Sequence, residues 1–231
     1  NMLFRLSGGV YVQPPFYREL RMFDGSLVSP EKASTQKSYQ VVFTHEYNFK
    51  AWDRPFVLTS ELYYKYLKDI IPYEVDNIRI RYYADQRATG YATGLDLRLN
   101  GEFVKGIESW ASLSIMKSAE NIKYYLSANG NILSQTQVDN GAEYVCDTII
   151  KGIPRPSDQR INFSLFFQDY LPYIPSFKVN LKLVFGTGMP FGTPYGERYT
   201  QKMRMSAYRR VDIGFSKQLI SEGTSFKKGN P

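Results

Sequence analysis

One histidine, one cysteine and a scatter of carboxylates are the residues from which an active site or a metal centre would have to be built. His45 falls on the apolar side of an alternating segment, a poor position for a base that must meet substrate and water. Cys146 stands alone, so there is no disulfide framework and it reads as an unpaired loop residue. One His and one Cys do not make a zinc site of the usual Cys/His type. Asp96 and Glu102 form a carboxylate pair of the kind used in glycoside hydrolysis, but they read more simply as water-facing residues of one strand. Gly186, Gly188, Gly192 and Gly196 are interleaved with Pro190 and Pro194. They lack the Lys-Ser/Thr and the helix that a phosphate loop needs. No nucleophile elbow occurs. The expectation is a protein that is not an enzyme and carries no cofactor.

The segments that must position these residues repeat with period two, the mark of strands with one apolar face. In 160–170, Ile161, Phe163, Leu165 and Phe167 alternate with Arg160, Asn162, Ser164 and Gln168. In 177–187, Phe177, Val179, Leu181, Leu183 and Phe185 alternate with Lys178, Asn180 and Lys182. The same pattern holds in 37–49, 56–69, 90–104 and 208–219, and more weakly in 2–12 and 109–117. Eight strands of 9 to 15 residues are predicted. Membrane-crossing strands need about 9–11 residues, against about 5–6 for a strand in a soluble domain. No run of about 18 apolar residues exists, which rules out a transmembrane helix.

The predicted connections alternate in length. Short ones are 50–55, 105–108 and 171–176; long ones are 13–36, 70–89, 118–159 and 188–207. Outer-membrane barrels have short periplasmic turns and long extracellular loops. Aromatic residues are 16% of the chain, with 19 Tyr and 15 Phe. Phe49, Trp52, Phe56, Phe103, Trp110, Tyr170 and Phe177 fall near the short-turn ends. Tyr39, Tyr64, Tyr66, Tyr91 and Phe185 fall toward the long-loop ends. Two belts at headgroup level are the expectation.

The net charge of +7 suggests a nucleic-acid partner until the charges are sorted. The long connections carry 12 basic and 12 acidic residues and so cancel. On the polar strand face, Arg5, Lys65, Arg98, Arg160, Lys178, Lys182 and Arg210 nearly balance Glu46, Glu61, Asp69, Asp96, Glu102 and Asp212. No nucleic-acid partner is expected. Lys37, Lys68, Lys117, Arg209 and Lys217 fall on the apolar face with Asp169, all at predicted strand ends. The first four lie at the long-loop end, where they are expected to anchor in lipopolysaccharide phosphates of the outer leaflet. Solvated strand termini are the alternative.

Five stretches together resemble the barrel of TonB-dependent receptors, in the Bacteroidetes branch with a carboxypeptidase-regulatory-like N-terminal domain. They are 60–75 (SELYYKYLKDIIPYEV), 88–117 (ATGYATGLDLRLNGEFVKGIESWASLSIMK), 153–172 (IPRPSDQRINFSLFFQDYLP), 180–194 (NLKLVFGTGMPFGTP) and 208–219 (YRRVDIGFSKQL). They cover roughly half of the chain, in matching order. The resemblance implies an all-β fold: an antiparallel transmembrane barrel wall of about eight long meander strands, within a barrel of about 22 strands around an N-terminal plug. It implies bacterial outer-membrane localisation and uptake of a scarce large solute such as a siderophore, cobalamin, a peptide or an oligosaccharide. Uptake would be driven by the TonB complex through the plug and its TonB box. A surface lipoprotein is a further partner it allows.

Residues 1–231 then correspond to a partial barrel domain on the C-terminal side, without the plug and the final strands. The chain opens on strand-like sequence with no signal peptide. It ends in Phe226-Lys227-Lys228-Gly229-Asn230-Pro231 rather than on a terminal aromatic strand.

On this reading Glu61, Lys65, Asp96, Arg98, Glu102, Arg160, Lys178, Lys182, Arg210 and Asp212 face the lumen. Tyr17, Arg18 and Arg21 in 13–36, with Tyr124, Tyr125 and Tyr144 in 118–159, are candidate ligand contacts, since aromatic and Arg side chains make good anchors. Two other readings stay open. A closed eight-stranded barrel with a structural or adhesion role requires 2–12 to pair with 208–219. A soluble β-sandwich binding carbohydrate requires Phe163 and Leu181 to be buried between two sheets.

Overall fold

The computed structural model describes residues 1–21, 25–29, 34–76, 79–84, 86–133, 138, 141–171, 173–193 and 198–219, without the side chains of 74–76, 79 and 175. Pro194, Gly196 and the tail 220–231, which the sequence suggests is a turn, lie outside them. The strands in chain order are β1 (Met2–Gln13), β2 (Gln36–Ala51), β3 (Arg54–Ile70), β4 (Tyr73–Asp76), β5 (Arg79–Tyr82), β6 (Ala88–Val104) and β7 (Ile107–Leu126). They continue with β8 (Ile132–Leu133), β9 (Cys146–Pro154), β10 (Ile161–Leu171), β11 (Ile174–Gly186), β12 (Pro190–Phe191), β13 (Met203–Arg204) and β14 (Tyr208–Lys217).

The fold is all-β and antiparallel. One sheet runs in the order β1-β2-β3-β6-β7-β10-β11-β14, and β8 and β9 both pair with β7. These eight long strands are the eight that the alternation predicts. Several exceed the expected length: β2 has 16 residues, β3 and β6 have 17, and β7 has 20. Among the described residues β1 pairs only with β2, and β14 only with β11, so the sheet is open at both edges. The pairing that a closed eight-stranded barrel requires is not made.

The three short connections are tight turns. Trp52 and Asp53 both adopt left-handed backbone, at φ 53 and 57. That geometry matches the twist of the flanking strands, although Asn-Gly is the usual choice for it. Gly106 supplies the positive φ of the Lys105–Gly106 turn, and Tyr173 that of the third.

Register carries the apolar alternates across the sheet in continuous rows. One row is Leu6–Phe43–Leu62–Leu95–Ile115–Ile161; another is Leu58–Leu99–Ala111–Leu165–Leu183–Val211. These are cross-strand neighbours in van der Waals reach, but among the described residues no second layer covers them. Leu62 is 56% exposed, Tyr64 51% and Ile213 64%, whereas their polar neighbours Glu61, Lys65 and Asp212 are only half-exposed. A water-soluble sheet has the opposite order, with its grease the less open side. Leu97, Phe163 and Leu181 are each partly exposed, and among the described residues no second sheet packs on them. The burial that a sandwich requires is therefore missing.

Three expectations need correction. The segment 118–159 is not a structureless loop: β7 continues nine residues past Lys117 and pairs with β9 and β8. Lys117 consequently lies inside a strand rather than at its end. Trp110 and Tyr170 are not part of an apolar-side belt. Trp110 pairs with Asn100 and Phe166 on the polar side, and Tyr170 pairs with Lys178 there. Each ring takes a cation on its face, Arg98 over Trp110 at 5.7 Å and Lys178 over Tyr170 at 5.4 Å. The remaining aromatics at this end do cluster: Phe56 is buried among Phe49, Trp52 and Phe103, with ring centroids 5.2 to 5.9 Å away. Phe56 also lies over Gly101, where a Cβ would come within 2.3 Å of the ring.

Candidate functional site

Two surfaces hold the candidate lumen-facing and ligand-contact residues: the polar side of the long strands and the cap at their long-loop ends. On the polar side, register assembles Arg5, Thr44, Glu61, Asp96, Ser114 and Asn162 into one row. A shallow groove there is lined by Thr59, Glu61, Asp96, Arg98, Asn100 and Ser114. Glu61 and Asp96 are direct cross-strand partners, an arrangement of like charges that destabilises a sheet unless something offsets it. Hydroxyls do part of this. Thr44 Oγ1 donates to Glu61 at 3.2 Å, and Ser114 Oγ donates to Asp96. Arg98 does not bridge the two. Its Nε donates to Asn100 at 3.1 Å.

The other polar-side residues are distributed along the sheet. Lys65 sits 5.4 Å from the Tyr63 ring. Glu102 accepts from the Gly106 amide at 3.0 Å and so ties down the turn. Arg210 donates to Asp212 at 2.8 Å on β14. Lys182 stands opposite Asp212, with Lys178 further down β11. Arg160 is displaced from this set: it precedes β10 and pairs with Asp158 at 2.9 Å, in the cap.

The cap holds the hydrophobic core. Ile70, Ala88, Ile122, Tyr124 and Ile153 are buried together, with Leu67, Ile132, Ile150 and Tyr199 packed around them. Two bulges create it. Asp69, at φ 59, inserts into β3 between Leu67 and Ile70 and turns Ile70 inward. Gly152, at φ 74, does the same in β9, and its amide donates to Asn121 at 3.0 Å.

Beside this core lies a polar network that sequence reading did not anticipate. The Arg198 guanidinium, 1% exposed, donates to Glu120 at 2.7 Å, to the Pro154 carbonyl at 2.8 Å and to Gln201 at 3.3 Å. It also sits 5.3 Å from the Tyr73 ring centroid. Asp158, fully buried, accepts from the Ser118 amide at 2.6 Å and pairs with Arg160 and Arg204. Arg155 approaches Glu120 at 4.0 Å. Two acids thus hold four arginines. Burial pushes the Tyr73 hydroxyl above the ordinary tyrosine range, with Arg198 pulling it back and Glu120 adding to the rise.

The candidate ligand contacts divide. Tyr124 is 1% exposed and packs edge-on against Tyr199 at 5.1 Å, so it belongs to the core and is corrected as a ligand contact. Tyr125 and Tyr144 pack together at 4.7 Å, with Tyr144 half exposed. Tyr17, Arg18 and Arg21 are exposed in and beside a short 3₁₀ turn, and Arg21 lies against the Tyr17 ring at 5.7 Å. Nearby, Lys123 and Asp147 form a 2.7 Å ion pair that holds the Asp147 carboxyl below its usual range and the Lys123 ammonium above its own. Among the described residues no group of three or more His, Cys, Asp or Glu is arranged to hold a metal ion.

No family model matches this sequence, and neither a curated protein nor a solved structure matches the chain.

Proposed function

We propose that this chain is wall and outer cap of a bacterial outer-membrane β-barrel that acts as a TonB-dependent receptor for a scarce large solute. The observation that carries the membrane part is the inverted exposure on β3 and beside Asp212 on β14: Leu62, Tyr64 and Ile213 are open while Glu61, Lys65 and Asp212 are less so. Strands satisfy their backbone groups by pairing, and hydrocarbon is the environment that stabilises an uncovered apolar face. The two open edges demand neighbours in a bilayer, which suits a wall within a larger closed barrel better than a complete eight-stranded one.

The receptor part rests on the resemblance of the five stretches and on the asymmetry of the two ends. One end has tight turns. The other carries a cored, charge-stapled cap, with Tyr17, Arg18, Arg21 and Tyr144 exposed to a ligand approaching from outside. The polar side, with Glu61, Asp96, Arg98, Lys178 and Lys182, lines the lumen. Lipopolysaccharide surrounds the wall, and the TonB complex engages a plug that is not in residues 1–231.

The test is uptake in the organism that carries the gene. Depletion of a defined panel of iron chelates, cobalamin, peptides and oligosaccharides is measured by mass spectrometry in wild-type and deletion strains, with and without a protonophore. The expected result is at least one solute whose depletion requires both the gene and the proton gradient. Identical depletion profiles in the two strains would count against the receptor reading.

A further inference from the structure

We infer that the exposed face of the β12–β13 hairpin binds a monovalent copper ion through the thioethers of Met189, Met203 and Met205. The site belongs to the cap and does not depend on the membrane reading. The chain has 6 Met, and half of them fall here. The hairpin pairs Pro190 with Arg204 and Phe191 with Met203. The same register, one step further, sets Met189 opposite Met205, and the Met205 amide donates to the Met189 carbonyl at 3.0 Å. Directly opposite side chains share a face, with Cβ atoms about 4.5–5.5 Å apart, and alternate residues of one strand return to that face. Met189, Phe191, Met203 and Met205 are therefore presented together. All four are exposed, the methionines at 46%, 48% and 53%.

The hairpin is fixed from its other face. Arg204 turns away from the methionines and donates to the Asp158 carboxylate, to the Asp158 carbonyl at 2.7 Å and to the Gly188 carbonyl at 3.1 Å. Gly188 lets the two strands close, since a Cβ there would come 1.6 Å from the Met205 carbonyl oxygen. The backbone under the thioethers is thus held, while their unbranched side chains can adjust to a metal. Chemistry then chooses the ion. Thioether sulfur is soft and uncharged and selects Cu(I), whereas zinc, iron and the hard cations call for imidazole, thiolate, carboxylate or water. The one cationic side chain of the Pro190–Arg204 pair is neutralised by Asp158 on the far side, so it does not oppose an added positive charge. Phe191 offers a ring face beside the sulfurs, a further soft partner for a cation. The face is four side chains wide, far short of the roughly 800 Å² per partner that a stable protein interface buries.

The full-length chain provides the test, in a Cys146→Ser background that removes its one thiol. Cu(I) is titrated anaerobically against bicinchoninate. The expected result is one Cu(I) retained per chain, with a sulfur shell in X-ray absorption and no displacement by Zn(II). Met189→Leu/Met203→Leu/Met205→Leu keeps the apolar bulk and should lose that copper, while Met116→Leu should keep it. A second measurement needs no methionine variant: Ag(I), a redox-stable stand-in, should protect Met189, Met203 and Met205 from peroxide oxidation, read by peptide mass spectrometry, and leave Met116 unprotected. A Cys146→Ser chain that retains no Cu(I) overturns the inference. So does equal retention by the triple variant, a copper shell without sulfur, or equal oxidation of the three methionines with and without Ag(I).

Discussion

The wall and the cap are made from the same strands and have opposite interiors. In the wall, β3 leaves Leu62 and Tyr64 open and keeps Glu61 and Lys65 on the less open side, while the apolar alternates of β6 stay partly exposed. A few residues further on, β3, β6 and β7 enclose Ile70, Ala88, Ile122 and Tyr124 in a dry core, with Glu120 and Arg198 buried beside it. At the boundary β3 bulges at Asp69, and β9, which pairs with β7 there, bulges at Gly152. On the proposed membrane reading, the medium each face is matched to changes as well. The wall is stabilised by pairing and by whatever covers its grease, whereas the cap is stabilised by its own packing. The two should therefore respond to different insults.

The largest effect is expected in the cap. Glu120→Ala leaves the Arg198 guanidinium buried without its charge partner. Breaking a buried pair in this way costs about 3–5 kcal/mol. Limited proteolysis of the folded full-length chain should then cut within 118–159 while the wall strands stay protected. Uniform protection would mean that the network is not what holds the cap.

Next comes the wall, where the insult must be read in a bilayer. Leu97→Lys is expected to cost about 2–4 kcal/mol in reversible folding into lipid vesicles, since it places an ammonium in hydrocarbon. Asn100→Lys, on the polar side of the same strand, should be close to neutral. Equal costs at the two positions would abolish the distinction between the faces.

A smaller loss, about 1–3 kcal/mol, is expected for Gly101→Val, because the new side chain collides with the Phe56 ring that fills the glycine's space. Folding into vesicles reads this too, and Phe56→Leu/Gly101→Val should recover part of it.

The smallest effect belongs to the exposed Lys123–Asp147 pair. Its bonded carboxylate has a lowered pKa, so any stabilisation is present above the ordinary aspartate range and is lost as pH falls through the lowered value. Solvent screens so exposed a pair. Asp147→Asn should leave the protease protection of the cap unchanged at neutral and at acid pH.

This contrast explains what was legible in the sequence. The eight long strands were, because each wall segment keeps one polarity per face: Leu95, Leu97 and Leu99 against Asp96, Arg98 and Asn100 declare a strand without any tertiary information. The continuation of β7 was not. Its even-numbered side is polar through Ser112 and Ser114 and then carries Ser118, Glu120, Ile122 and Tyr124 into a buried core. A reading that asks for one polarity per face stops near Lys117. The Arg198–Glu120 pair was illegible for another reason: its partners are 78 residues apart, and pattern within a window says nothing about charges that meet only after the sheet forms. Of the candidate contacts, only burial could show that Tyr124 is core while Tyr144 is open.

The most direct test of the whole account is the environment of the uncovered face. In a Cys146→Ser background, nitroxide labels are placed at Leu97, Phe163 and Leu181 and, for contrast, at Asp96, Ser164 and Asn180 of the full-length chain in lipid vesicles. Collision rates with oxygen and with a water-soluble nickel chelate are then read by electron paramagnetic resonance. The account predicts oxygen-dominated collisions at the first three positions and a shift toward nickel at the others. Labels at Leu97, Phe163 and Leu181 that meet neither reagent, as inside a packed protein core, would contradict it.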